Sequence, residues 1–199
     1  YESPPGCTGI GKTFDLNEGR VMGFFRQPEQ RIISDWYEHR KSEPTGALDF
    51  NFAQRTGGCA VKSLTRQADF QEAAWLHYLP EGWWPSEPCR ELPPPTDAEV
   101  QTAVERVRRI AFVGLTEEWT LSVCLFHAMY GGPCHGLELH NTRPNTQRPA
   151  GGYNASEHLG GWTDPWDAPV YKEASRIFWA RVQEYGLSRD LCSRACINT

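Results

Sequence analysis

Arg26 and Ser34 are the residues whose types and spacing invite chemistry: a guanidinium and a hydroxyl eight positions apart, with Pro28 and Arg31 between them. An Arg presents paired N–H donors in a planar fork and a Ser hydroxyl adds one more, so the two converging on one point suit a phosphate. A second stretch has the letters of a phosphate site. Gly6-Cys7-Thr8-Gly9-Ile10-Gly11-Lys12-Thr13 satisfies the pattern Gly-x-x-x-x-Gly-Lys-Thr, whose backbone N–H groups cradle phosphate oxygens when a strand precedes the loop and a helix follows it.

Val21 to Phe25 is a short apolar run of the kind buried in parallel sheets, and Pro28 stands where the first turn of a helix tolerates a missing N–H. The chain therefore passes from strand to helix near Gln27. Beyond Pro28, Ile32, Ile33, Trp36 and Tyr37 recur at helical spacing, which gives the helix an apolar face to lay on the sheet. Arg26 is left at the carboxyl end of the strand, and Ser34 lies about two turns into the helix on the side that looks back toward it. Open α/β sheets bind ligands there, in the crevice beyond the strand ends. The Gly6 to Thr13 stretch lacks such support. Only Tyr1 to Pro5 precede it, two of them proline, and six residues separate Thr13 from Arg20, where the strand begins. A crossover between parallel strands takes roughly ten residues or more, so no helix fits and the match reads as chance or as a degraded remnant.

Further along, Thr96 and Glu99 form a capping box, and Val100, Ala103, Val104 and Val107 follow the helical i, i+3, i+4, i+7 rule. Arg106, Arg108 and Arg109 crowd the end of that helix, where cations complement its dipole. Ile110 to Val113 then reads as a buried strand, and Gly114-Leu115-Thr116 turns it into a helix from Glu117 to Tyr130 that Gly131-Gly132 closes. In this reading Thr116 is the N-cap, and Glu117 and Glu118 face the helix dipole. Helix, strand, helix is the repeating unit of a doubly wound sheet. Between the two units lie a mixed segment with a short helix around Asn51 to Gln54 and a Gly57-Gly58-Cys59 break, a helix over residues 66–78, and a Pro-rich loop over 80–95 that carries Trp83 and Trp84. The tail has a loop-rich stretch over 133–169, a helix over 167–185 with an apolar stripe, and Cys192 and Cys196 spaced to share a helix face.

Arg26-Gln27-Pro28-Glu29-Gln30-Arg31-Ile32-Ile33-Ser34 resembles the 3′-phosphate-binding segment of sulfotransferases, whose pattern Arg-x-Pro-x-x-Arg-x-x-Ser is met at Arg26, Pro28, Arg31 and Ser34. Phe112-Val113-Gly114-Leu115-Thr116-Glu117-Glu118-Trp119, followed by Ser122-Val123-Cys124-Leu125-Phe126, resembles a late strand and helix of carbohydrate sulfotransferases. The order and the spacing of the two segments match that family, and the resemblance covers residues 20–40 and 96–131. It implies one domain over residues 1–199 with a P-loop NTPase-like doubly wound parallel sheet, flanking helices and a truncated N-terminal side. It also implies 3′-phosphoadenosine 5′-phosphosulfate as co-substrate, held by Arg26 and Ser34, no metal, and a carbohydrate or other hydroxyl as acceptor. The helix over 66–78 would shape the acceptor site, and Arg143 or Arg148 in the late loop would reach the 3′-phosphate. The family's 5′-phosphosulfate loop and base precede the Arg-x-Pro segment, so no catalytic residue is assigned. His39, His77, His127, His135, His140 and His158 all follow it, and none has the neighbours of a base.

The net charge of −5, with the two signs interspersed, offers no basic face for nucleic acid. No apolar run approaches the roughly 18 residues of a membrane span. Seven cysteines are many for a reduced enzyme of this length. Cys59 and Cys89 lie in or beside irregular segments and suit disulfides, Cys124 reads as an inert core thiol, and no Cys or His cluster accompanies Cys192 and Cys196 to make a zinc site. With the sequon Asn154-Ala155-Ser156, this fits the secretory route, and by the resemblance the Golgi lumen with any anchor upstream. Two other functions stay open: a secreted glycan-binding module on the same fold, using Trp83 and Trp84, and a nucleotide triphosphatase or kinase using Gly6 to Thr13.

Overall fold

The computed structural model describes residues 10–11, 13–39, 50–66, 93–140 and 152–197. Residues 67–78 of the helix expected over 66–78, the tryptophans 83 and 84, and arginines 143 and 148 lie outside the described residues, as does most of the Gly6 to Thr13 stretch, while Arg66 itself is extended.

The described residues form a mixed α/β structure, mostly helical, around a two-stranded parallel sheet. Strand β1 is Met22–Phe25 and β2 is Phe112–Leu115, in register from Met22 opposite Phe112 to Phe25 opposite Leu115. β2 is buried throughout, as a run with both faces covered should be, whereas β1 exposes Met22 and Phe24. The two segments that the sequence reading paired are thus neighbours, and their carboxyl ends finish side by side.

Helix α1, Pro28–His39, follows β1 after two residues and buries Ile32 and Ile33. Helices α2, Phe50–Thr56, and α3, Cys59–Thr65, stand where one short helix and a break were expected. They meet at Gly58, whose φ of 68° an L side chain rarely adopts and whose added Cβ would strike the Pro95 ring at 2.5 Å. Helix α4, Asp97–Arg108, begins on the expected capping box, both halves of which are formed by Thr96 and Glu99. After β2 comes a 3₁₀ turn, Thr116–Glu118, and then α5, Trp119–Tyr130, closed by Gly131 at φ 82°.

Thr116 does not cap α5 as expected. Pairing with β1 carries the strand through Leu115, and the Ser122 hydroxyl takes the Leu115 N–H and donates to the Leu115 carbonyl instead, both at 2.9 Å. A short helix α6, Ala155–Leu159, breaks the late loop-rich stretch, and Asn154 of the sequon is exposed at its N-cap, accepting the Glu157 N–H. Helix α7, Asp167–Glu184, buries Val170, Ala174, Phe178 and Val182 against α4 and β2.

Helix α8, Arg189–Ile197, corrects the reading of Cys124. It brings Cys192 against Cys124 and Cys196 against Cys134, with Cα separations of 5.6 and 4.8 Å, and each pair is a disulfide. Periodicity on α5 shows that Cys124 is buried, but only the packing of α8 shows what it is buried against. Cys59 is disulfide-bonded as well. Among the described residues no helix is long and apolar enough to cross a membrane.

Candidate functional site at the strand ends

Arg26 leaves β1 directly after Phe25 and is half-buried. The next residue ties the two strand ends together: the Gln27 backbone N–H donates to the Glu117 carboxylate, ninety positions away. Gln27 also caps α1, its Oε1 accepting the Gln30 N–H at 2.8 Å, and Pro28 then occupies the first helical position without forfeiting a bond. Arg26 is therefore held between a strand end and a side-chain-capped helix start, both of which limit its backbone.

Gln27, Gln30, Arg31 and Ser34 recur at i, i+3, i+4 and i+7, so they share one side of α1. Besides Gln27, two of them have structural partners. The Gln30 amide exchanges hydrogen bonds of 2.7 and 2.9 Å with the Tyr153 backbone, and Tyr153 stacks on Tyr37 at 5.1 Å between ring centroids. The segment that begins at Gly152 is thereby pinned alongside α1. Arg31 turns to the Thr56 carbonyl and lies 3.9 Å from Asp167, so its charge serves the packing of α1 on α2 and α7. Ser34 is half-buried, and its hydroxyl makes no hydrogen bond among the described residues.

Glu117 and Tyr171 join the strand ends, and sequence reading gave neither this place. The helix dipole is the partner that sequence predicts for Glu117, but the 3₁₀ turn swings it toward Gln27 and its neighbour Glu118 toward Arg189. The Tyr171 hydroxyl is pushed up to about 12 by burial and then by the charges of Glu117 and Glu118. At neutral pH it is a donor and not a base. A contact across ninety positions leaves no local signature, and only the adjacency of the two strands reveals it.

Beneath α1 lies a buried polar knot. Glu29 accepts the Asp164 N–H at 2.9 Å, Asp164 accepts the Gly58 N–H at 2.9 Å, and Asp167 accepts those of Ala60 and Val61 at 3.0 Å each. The two aspartates thus occupy the N-terminal amides of α3. Burial, and next the charge of Asp164, raises Asp167 above the usual carboxylate range. Burial also brings the Lys62 amine down to about 8. Each of these three carboxylates accepts backbone N–H bonds, so the knot acts as a joint between α1, α3 and α7.

Of the Gly6 to Thr13 stretch, Ile10 and Gly11 give their N–H groups to the carbonyls of Ser63 and Arg66, at 2.8 and 3.1 Å. A Cβ at Gly11 would lie 2.2 Å from the Thr65 oxygen, so this glycine serves close packing on the end of α3. One 3₁₀ turn, Asp15–Asn17, follows. On the far side of α5, His127, Cys134 and Glu138 bring ligand atoms within 4.8 Å of one another. Cys134 is spent in its disulfide, and His127 pairs with Glu138 at 3.0 Å. Compared with known proteins, the chain matches no family model, no curated protein and no solved structure.

Proposed function

We propose that this chain is a sulfotransferase that binds 3′-phosphoadenosine 5′-phosphosulfate and transfers its sulfuryl group to a hydroxyl, of a carbohydrate by the resemblance of residues 112–126. The observation that carries the proposal is the junction of its two resembling segments: β1 and β2 pair in parallel and their carboxyl ends are bridged from Gln27 to Glu117. The crevice beyond such ends is where open α/β sheets take their ligands. In this reading the Arg26 guanidinium and the Ser34 hydroxyl, which makes no hydrogen bond among the described residues, grip the 3′-phosphate. The sheet is part of a P-loop-like doubly wound sheet, whose further layer would cover the exposed Met22 and Phe24. The disulfides and the exposed sequon at Asn154 fit a glycoprotein of the secretory lumen, and the resemblance suggests the Golgi as its compartment.

In the transfer the acceptor hydroxyl gives its proton to a general base and its oxygen bonds to sulfur as the bond from sulfur to the 5′-phosphate oxygen breaks, and 3′,5′-adenosine bisphosphate leaves with that electron pair. Charge is spread over the sulfuryl oxygens, so positioning and preorganised donors supply most of the acceleration. A charge-assisted hydrogen bond contributes about 1.5–3 kcal/mol. Calorimetric titration with 3′,5′-adenosine bisphosphate should show binding that Arg26→Ala weakens about 10- to 100-fold, with a smaller loss for Ser34→Ala. A folded chain that takes up no nucleotide, or binding indifferent to Arg26, overturns the proposal.

A further inference from the structure

We infer that the cleft between α5, α7 and α8 is a binding site for a neutral hexopyranose unit of a glycan. If the sulfotransferase reading holds, it is an acceptor-side subsite. The cavity measures about 390 Å³, within the roughly 300–1,000 Å³ of small-molecule sites. Its floor is aliphatic, from Leu121, Val182 and Leu187, and Trp179 forms a wall. Trp179 stays 37% exposed although it sits on a helix whose other face is core. A flat aromatic wall over an aliphatic floor matches the apolar C–H face of a pyranose ring, and a polar rim matches its hydroxyls.

The rim decides between neutral and charged sugars. Arg189 lies over the Trp179 ring at 5.5 Å and donates from Nε to Glu118 at 2.9 Å, with a second bond from the same guanidinium to the other oxygen. Its charge is thereby offset, and it covers one face of the Trp179 ring, so a sugar meets the rest of the exposed indole. Ser188 accepts the Leu191 N–H at 3.2 Å and keeps its own O–H to donate. The Asp190 carboxylate has no side-chain partner among the described residues, although Arg194 bonds its backbone carbonyl at 3.2 Å, and it places a negative charge on the rim. A lone carboxylate accepts two O–H bonds from adjacent ring hydroxyls and repels a uronate or a sulfate ester. The net charge of −5 disfavours a polyanionic chain in the same way.

Position connects this cleft to the strand ends. Glu118, which holds Arg189, directly follows Glu117, which accepts the Gln27 N–H, so a single 3₁₀ turn separates the cleft from the crevice beyond β1 and β2. The Cys124–Cys192 bond holds the first turn of α8 against α5 and so keeps the cleft open.

Saturation-transfer NMR and calorimetry on the disulfide-intact chain would use neutral oligosaccharides of glucose, galactose, mannose and N-acetyllactosamine, with unsulfated chondroitin tetrasaccharide as the uronate probe. At least one neutral glycan should bind with a millimolar or tighter Kd. Trp179→Ala and the near-isosteric Asp190→Asn should each weaken it fivefold or more, and the uronate should bind at least tenfold more weakly. The inference is overturned if a folded wild-type chain binds no neutral glycan, if neither variant changes the affinity, or if the uronate binds better. Titration with adenosine bisphosphate separates the two claims. Sugar binding without nucleotide binding leaves the cleft standing and removes the sulfotransferase; nucleotide binding without sugar binding does the reverse.

Discussion

Glu117 and Glu118 leave one 3₁₀ turn for different partners. Two acidic residues after a strand match the dipole preference of a helix start, and that local preference is satisfied by many arrangements. The 3₁₀ turn directs Glu117 across the strand ends to the Gln27 N–H and Glu118 to Arg189. Glu117→Ala therefore removes a bond between segments ninety positions apart. A net loss of about 1–2 kcal/mol is expected, read as a lower midpoint in urea unfolding with an unchanged slope. Glu117→Gln keeps an acceptor oxygen and should cost less than half as much. Ser34 illustrates the converse, since its spacing from Arg26 was legible in the sequence while its lack of a hydrogen-bond partner among the described residues was not.

At the scale of elements, α4 and its junction with α3 show which features sequence determines. The Thr96 and Glu99 box was legible because both halves lie within one turn. Its extension was not: Arg66, the residue that ends α3, donates from Nε and Nη2 to the Glu99 carboxylate, which ties the two helices together. That guanidinium first, and then the Thr96 N–H, hold the Glu99 carboxyl down at about 2. A carboxyl depressed in the fold contributes stability that is complete above its unfolded value near 4.5 and is lost as pH falls toward 2. Unfolding free energy measured from pH 5 to pH 2 should fall with acid in the wild type, and more gently over that window in Glu99→Gln. Equal slopes would show that the tie between Arg66 and Glu99 has no thermodynamic weight.

The whole molecule depends on long-range closure. The Cys124–Cys192 and Cys134–Cys196 bonds span 68 and 62 positions and fasten α8 to α5 and to the segment beyond it. A bridge over such a loop typically contributes 2–4 kcal/mol, mainly by restricting the unfolded chain. The Cys124→Ser, Cys192→Ser double variant should lower stability by about that amount and make α8 a preferred site of limited proteolysis. Unchanged cleavage would show that packing alone retains the helix. The cysteine count pointed to disulfides, but an isolated apolar helix pattern made Cys124 look like a core thiol, because periodicity reports burial and not the neighbour.

By itself the sequence determined what is decided within a few residues. The β1 to α1 passage at Pro28, the capping box of α4, the glycine stop of α5 and the apolar stripe of α7 each depend on backbone geometry and side-chain reach inside one or two turns. The pairing of two segments into one reading was also available, because order and spacing are properties of the chain. The tertiary structure decided everything that joins distant positions: the register of Met22 with Phe112, Glu117 against Gln27, the seat of Asp164 and Asp167 under α3, and the partner of Cys124. It also decided that the Ile10 and Gly11 amides are consumed by α3. The physical reason is that hydrogen bonds, disulfides and packing act over a few ångströms of space, and a sequence pattern measures separation along the chain.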